Sequence, residues 1–423
     1  MNGNKKMGVV VATAMSITII IGAGLLALPG LSYALAGRFG YLSWVLVSIL
    51  MIPLLFIFSY FSSNNPSAGG VIGYIRESLG ENFGSMAEMI VLGTFTLGIP
   101  AIALIGSGYI GQIFKNITPL ESGLAFIFIA YLTGMAGLRI SGAIQTGMAA
   151  LLIIGLTGIG LGFLLYSHNE PAYLALTPAV TVIQKSELNG IFSAIPVILF
   201  AYTGWEMTAF LAEDMENPKR DMPISIWVSF FIVAIMYIFI AWIVASFAID
   251  NEQWKTAPFV ELAKGWMGDS GGLIVAIIAV LLVIANVIAA FVSASRAIYY
   301  AGRDGFLPDI IGTSHKNGQP IIAMTITWTI FSFVIGTTYF LELGVDTLLQ
   351  LAGQNFFALY LLCAIGYTKI HKKQKYKKIL GMIAIALVFI MLFLFSIPGI
   401  IYCTLLAITG FFLASKKPST SPN

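Results

Sequence analysis

The sequence predicts an all-α integral membrane protein of about twelve transmembrane helices. Three observations carry that expectation. Hydrophobic residues make up 58% and charged residues 10% of the 423, outside the range of ordinary globular domains. Uncharged apolar stretches recur from one end to the other, each near the roughly 20 residues a helix needs to cross the hydrocarbon core. The basic residues are also lopsided on that map. With a cytoplasmic N-terminus, Arg38, Lys115, Lys185, Lys255 and Lys264 fall outside, while the rest of the 22 Lys and Arg fall inside or at cytoplasmic helix ends. That bias sets orientation during insertion.

The expected spans are about 9–36, 40–63, 85–114, 121–137, 141–166, 189–212, 222–248, 270–302, 319–339, 345–368, 379–394 and 397–414. Lys5 and Lys6 precede the first apolar run as in a signal peptide, but no cleavage site follows, so this is an uncleaved helix. The stretch Pro66–Asn82 reads as a loop running into a short cytoplasmic interfacial helix. Segment 250–268 reads as an outer amphipathic helix or re-entrant cap, with Trp254 and Trp266 suited to the interface. The run Lys369, Lys372, Lys373, Lys375, Lys377 and Lys378 is a topology anchor against anionic headgroups rather than a nucleic-acid site. An even number of spans leaves both termini cytoplasmic, in keeping with Lys416 and Lys417. Residues 415–423, rich in Pro and Ser, are expected to be a disordered tail. Cys363 and Cys403 lie in apolar stretches and suggest neither disulfide nor metal site.

Two spans are not simple rods. Span one carries Ile21-Gly22-Ala23-Gly24 and then Pro29-Gly30; span six carries Tyr202-Thr203-Gly204-Trp205-Glu206. Gly inside a helix costs on the order of 1 kcal/mol relative to Ala. An unwound turn in hydrocarbon leaves backbone N–H and C=O groups unpaired, so it persists only where it lines a cavity or meets a ligand. A single such glycine reads most simply as close helix packing. The pair changes that reading, because spans five apart enter the membrane from opposite sides, and matched interruptions in oppositely oriented halves point to a transporter binding site.

Such a pair suits a free amino acid. The helix N-terminus after the first break offers N–H groups and the positive dipole end to a carboxylate, through Gly22, Ala23 and Gly24. Carbonyls of Phe200, Ala201 and Thr203 at the second break would receive the ammonium. With the zwitterion held by backbone, an apolar surround without nearby basic residues favours a neutral side chain such as that of methionine, leucine, isoleucine or valine. Glu206 has two readings. It contacts a cationic substrate or moves a proton, or it pairs with N–H groups of the unwound turn.

GAGLLALPG in span one, PSAGG after span two, FAYTGWEMTAFLAEDMENPKRDMP around span six and SASRAIYYAGRDGFLP ending span eight resemble the amino acid–polyamine–organocation superfamily, in that family's order. The spelling is most similar to its bacterial methionine and branched-chain amino acid exporters. The resemblance implies the LeuT-type five-plus-five inverted repeat. Residues 1–368 would form the transport core (repeats about 9–166 and 189–368), residues 369–414 would add two helices outside it, and the cytoplasmic or inner membrane of a bacterium would be the location. From the two breaks, Ile21, Gly22, Ala23, Gly24, Phe200, Ala201, Tyr202, Thr203 and Gly204 are the residues expected to bind substrate; the resemblance adds that Phe200 is the aromatic outer gate and that Glu206 is the span-six glutamate. Arg296 and Arg303 match basic residues ending span eight, as inner-gate or topology residues. The sequence departs from the family where many members carry a span-five lysine, in the register of Leu152. No cofactor is expected, and coupling to protons or sodium stays open. A sodium site using Ser293 or Ser295 competes with plain helix packing for those residues.

An enzyme would need positioned acid, base or metal groups at membrane depth, and His168, His315 and His371 all fall in expected loops. A channel would explain the glycines but not the inverted pair of breaks. The expected partners are an amino-acid substrate and the bilayer, with no nucleic acid. Oligomeric state and transport direction leave no mark in the sequence.

Overall fold

The computed structural model describes residues 8–21, 23–64, 70–137, 142–167, 184–204, 215, 217–247, 252–303, 305–315, 318–394 and 396–414. Every element among them apart from an isolated bridge residue, Met215, is helical, and the described residues of each expected span are mainly helical; residues 205–212 of span six lie outside the described residues. Seven helical stretches are long and apolar enough to cross a membrane by length and composition, and 119–135 and 150–166 are shorter apolar helices.

The first span is broken as expected. Helix α1 (Val9–Ile20) ends where Ile21 turns extended. A 3-10 turn (Ala23–Leu26) follows, and α2 (Leu28–Ala36) restarts with proline in its first turn, where a missing N–H costs nothing. Gly37, at φ 58°, ends α2 in the left-handed region that glycine enters without strain. Helix α3 (Gly40–Asn64) is the second span. The expected interfacial helix is α4 (Gly70–Leu79), pinned to α5 (Glu81–Ile113) by Arg76, which reaches Glu81 at 3.1 Å and Glu88 at 3.0 Å. Helices α6 (Pro119–Met135) and α7 (Gly142–Ser167) complete the first half. A capping box of Thr118 and Glu121 starts α6.

Helix α8 (Lys185–Leu199) runs into a second 3-10 turn (Phe200–Tyr202). Helix α9 (Pro218–Phe247) follows. Next come α10 (Glu252–Thr256) and the long α11 (Pro258–Arg303), which bends at Gly268, φ 69°. That glycine separates the outer cap from span eight where the sequence predicts the boundary. The cap differs in one respect. Trp254 is buried rather than interfacial, because α10 lies on α2, where the bare Gly30 receives the Trp254 carbonyl in contact. Gly108 of α5 meets the Thr256 carbonyl in the same way.

Helices α12 (Ile321–Phe340), α13 (Val345–Ile370), α14 (Lys375–Leu392) and α15 (Ile397–Ala414) end the chain. Helix α5 is the axis of the molecule, packed on α4, α6, α11, α12, α13 and α15. Helix α15 seals tightly on it: Leu406 sits over Gly93, and the Tyr402 hydroxyl donates to the Gly93 carbonyl at 2.9 Å. His371 corrects a further expectation. It follows α13 but is 2% exposed rather than a surface loop residue. Its Nδ1 lies 2.9 Å from the Tyr367 carbonyl and its ring packs on Tyr60 and Tyr367.

Candidate substrate site between two broken helices

The fold brings the two interruptions together. The 3-10 turns Ala23–Leu26 and Phe200–Tyr202 touch, and the Phe200 ring lies over Gly24. A methyl placed on Gly24 would stand 3.7 Å from Phe200 Cδ1. On its other side the ring lies against α5, where a methyl on Gly98 would come within 2.8 Å of Cε2. Two glycines thus make the slot that holds the ring. Helix α13 packs beside the site, because the bare Gly353 lets the Pro196 carbonyl of α8 approach its backbone closely.

The first N–H groups of any helix have no partner within it, so those of Ala23 and Gly24, at the head of the 3-10 turn, match the donors expected for a carboxylate. The carbonyls expected to receive an ammonium are already in use. Phe200 O accepts from Thr203 Oγ1 at 2.8 Å, and Ala201 O from the Tyr237 hydroxyl at 3.3 Å. A carbonyl has two lone pairs, so an ammonium would be the second donor at Ala201, whereas at Phe200, which also accepts from the Thr203 N–H at 3.4 Å, it would have to displace an existing bond. Gly204, at φ 113°, turns the chain out of the break in a conformation that disfavours any Cβ.

Tyr202 stands apart from the ligand set in one respect. Its side chain is fully buried, its hydroxyl is 2.7 Å from Ser48 Oγ, and its ring packs on Trp44 and Tyr237. What it offers a ligand is backbone. Ile21 is buried, with its N–H on the Ile17 carbonyl. Ser293 is exposed and Ser295 buried. Their hydroxyls donate one turn back, to Ala289 and Phe291 carbonyls. Leu152, in the register where the resemblance implies a lysine in many members, is buried. Gly22, Glu206, Trp205, His168 and most of the PSAGG motif lie outside the described residues.

Three aromatic residues that the motifs did not single out hold the breaks in place. The Tyr237 hydroxyl reaches both the Ala201 carbonyl and, at 3.4 Å, the Ile20 carbonyl ending α1. Tyr109 of α5 donates to the Leu26 carbonyl at 2.7 Å. Trp44 donates from Nε1 to Ser32 Oγ at 3.0 Å and stacks edge-on to Tyr237. A phenol at membrane depth needs a partner, and that was the available signal.

A groove of about 720 Å3 lies elsewhere, walled by Met86, Ile90, Leu361, Leu392, Cys403 and Phe411. It has almost nothing polar to hold a zwitterion.

Two interruptions of apolar helices brought together, bridged by the Tyr237 hydroxyl and covered by the Phe200 ring, fit a membrane carrier for a small solute. The comparisons with known proteins fix the family. The chain belongs to the amino acid permease family, within the amino acid–polyamine–organocation superfamily, whose sequence model matches residues 7–423, and this family fits the LeuT-type membrane fold. Among curated proteins it is similar to the uncharacterized amino acid permease YecA of Bacillus subtilis, 25% identical over 96% of this chain and 94% of that one. It is 24% identical to the L-methionine/branched-chain amino acid exporter YjeH of Escherichia coli, covering 88% and 87% of the two chains. It is 27% identical to the serine/threonine exchanger SteT of Bacillus subtilis, covering 59% and 57%. The protein is a multi-pass membrane transporter of this family.

Proposed function

We propose that this transporter moves neutral amino acids across the cytoplasmic membrane by alternating access, with both termini inside, as an exporter or exchanger. The observation that carries the reading is the Phe200 ring held between Gly24 of the span-one break and Gly98 of α5. Gly22, Ala23 and Gly24 would take the carboxylate, and the carbonyls of Phe200, Ala201 and Thr203 the ammonium. The substrate side chain would then face Gly98, Ala352 and the Phe200 ring, small and apolar surfaces that suit methionine, leucine, isoleucine or valine. Similarity to YjeH supports export of that class, and similarity to SteT supports exchange. Leu152 in place of a lysine argues against a span-five ammonium as the ion-site substitute. Coupling would then rest on protons, sodium or a counter-substrate.

The test is counterflow of labelled methionine and leucine into proteoliposomes loaded with one unlabelled amino acid at a time, with and without sodium and a pH gradient. Accumulation driven by neutral apolar amino acids supports the reading, and its ion dependence identifies the coupling. A signal only with arginine or a polyamine would refute the neutral assignment and put Glu206 against the ligand. Accumulation that strictly needs an inward sodium or proton gradient would favour an importer.

A further inference from the structure

The apolar groove beside the last helix has no part in holding a zwitterion, and its shape follows from how α14 and α15 part. They are joined through residues 393–396 but pack on different partners, α14 on α13 and α3, α15 on α5 and α13. A cleft is left between them, floored by Ile90 of α5 and Leu361 of α13 and walled on one side by Leu392, the last residue of α14. The other wall is one face of α15, where Ile400, Cys403, Ala407 and Phe411 recur at helical spacing. From Ile400 to Phe411 the helix rises about 17 Å. That matches one leaflet of hydrocarbon, half of about 30 Å.

The end of the cleft away from the 393–396 turn lies where the charge is. Gly410 abuts the Ser85 carbonyl near the start of α5, and Gly366 of α13 abuts Ser78 of α4 just before that start. The Phe411 end of the groove and the lysine-bearing end of α13 therefore lie at one face of the molecule. Lys369 follows the groove residue Leu362 by two helical turns, and Lys378 shares the side of α14 that ends in Leu392, through Ile385. Both lysines are exposed, as are Lys372, Lys373 and Lys375 beside them, and among the described residues none of the five is in an ion pair. The acids at the start of α5, Glu81 and Glu88, are held by Arg76.

We infer that this cleft is a binding site for one anionic glycerophospholipid, with an acyl chain along α15 and the phosphate at Lys369 and Lys378. The chemistry of the ligand divides as the surface does. A dry groove one leaflet long takes the chain, and lysines at the membrane surface draw an anionic headgroup. An acyl chain and a basic patch together hold where either alone is weak. A second copy of this chain suits the groove less well, because pairing about an axis normal to the membrane would set two lysine clusters side by side. The site stands apart from the carried solute and does not rest on the transport reading.

The experiment is native mass spectrometry of the delipidated protein in detergent, titrated with phosphatidylglycerol or phosphatidylethanolamine of identical chains. Wild type is expected to hold one phosphatidylglycerol at least about fivefold more tightly than phosphatidylethanolamine. Lys369→Gln and Lys378→Gln should each weaken phosphatidylglycerol about fivefold and leave phosphatidylethanolamine unchanged. Ala407→Trp, which fills the groove from a half-buried position, should remove the tight site for both lipids with every lysine still in place. If that variant fails to insert, the lysine pair carries the test. Glycerol phosphate, which has the anion without the chains, should not compete. Equal binding of the two lipids by wild type, phosphatidylglycerol binding unaltered by the lysine variants or by Ala407→Trp, or full competition by glycerol phosphate would each overturn the site. A lipid-free dimer that Ala407→Trp breaks would also overturn it and give the groove to a second copy.

Discussion

Replacing Gly98 by alanine tests the slot around Phe200 with a single methyl. The added Cβ would stand 2.8 Å from Phe200 Cε2 and 3.0 Å from Cζ, where carbon atoms settle at about 3.5–4.0 Å. The ring must retreat by about 0.5–1 Å, towards Gly24 on its far side. Overpacking of this kind costs about 1–3 kcal/mol. The penalty falls only on the state in which the ring covers the break, because a ring swung away no longer meets the methyl. The covered state should lose population by a factor of about 5–150. A thiol at Gly24 reads this directly, since a Cβ there makes only ordinary contacts, 3.4 Å to Leu28 and 3.7 Å to Phe200, and both native cysteines are buried. Gly24→Cys should react with an impermeant thiol reagent at least about fivefold faster when combined with Gly98→Ala. The gain should vanish in a Phe200→Leu background, where no ring remains to displace. Equal labelling with and without Gly98→Ala would refute the view that Phe200 shields the break.

Three further outcomes follow from the same geometry. Gly24→Val should insert normally but give no counterflow, because its γ-carbons reach the Phe200 ring and the carboxylate position, whereas Gly24→Ala should keep partial activity; wild-type counterflow by the valine variant would remove the break from the binding site. Tyr237→Phe takes the shared donor from the Ile20 and Ala201 carbonyls and should cost about 0.5–1.5 kcal/mol, read as a lower thermal midpoint in detergent together with weaker apparent substrate affinity. An unchanged affinity would make that bridge purely structural. Burial, followed by the nearby Lys377 charge, pushes His371 below its ordinary value, although the bond to the Tyr367 carbonyl opposes the shift. The unfolded chain then takes up a proton at about pH 6.5 while the folded chain resists. Stability is full above that pH and falls as pH drops towards the lowered folded value. His371→Asn should flatten the decline of the thermal midpoint between pH 7.5 and 5.5, and an equal slope in both proteins would count against a buried neutral imidazole.

The boundaries of the fold were legible because hydropathy, glycine and proline report on backbone directly. Ile21-Gly22-Ala23-Gly24 marked the first break, and the outer segment ended at the glycine where α11 bends. The side chains that brace the site were not legible in the same way. Helices α3, α5 and α9 are apolar on every face, so no periodic stripe separates the face against protein from the face against lipid. Tyr109, Tyr237 and Trp44 look in sequence like any aromatic residues of a membrane span. Their hydroxyl and indole groups were the remaining clue, since each must find a bond at that depth. Trp254 misled for the related reason that tryptophan suits both an interface and a core. Here the bare Gly30 opposite it, which lets backbone meet backbone, decided for the core.

The triple contact of Trp44, Tyr202 and Tyr237, with ring centroids 5.3–6.1 Å apart, works as a rivet. It joins α3, α9 and the span-six turn, and through the Tyr237 hydroxyl it catches the end of α1 as well. The two breaks, and with them the groups proposed to hold the substrate, are thus tied to one another through α9. On the opposing bearing surface, α5 presents Gly98 to the Phe200 ring and Gly108 to the cap carbonyls. A solute bound as proposed would therefore be gripped by groups that the rivet keeps in register, with Tyr109 of α5 fastening the first break from the other side.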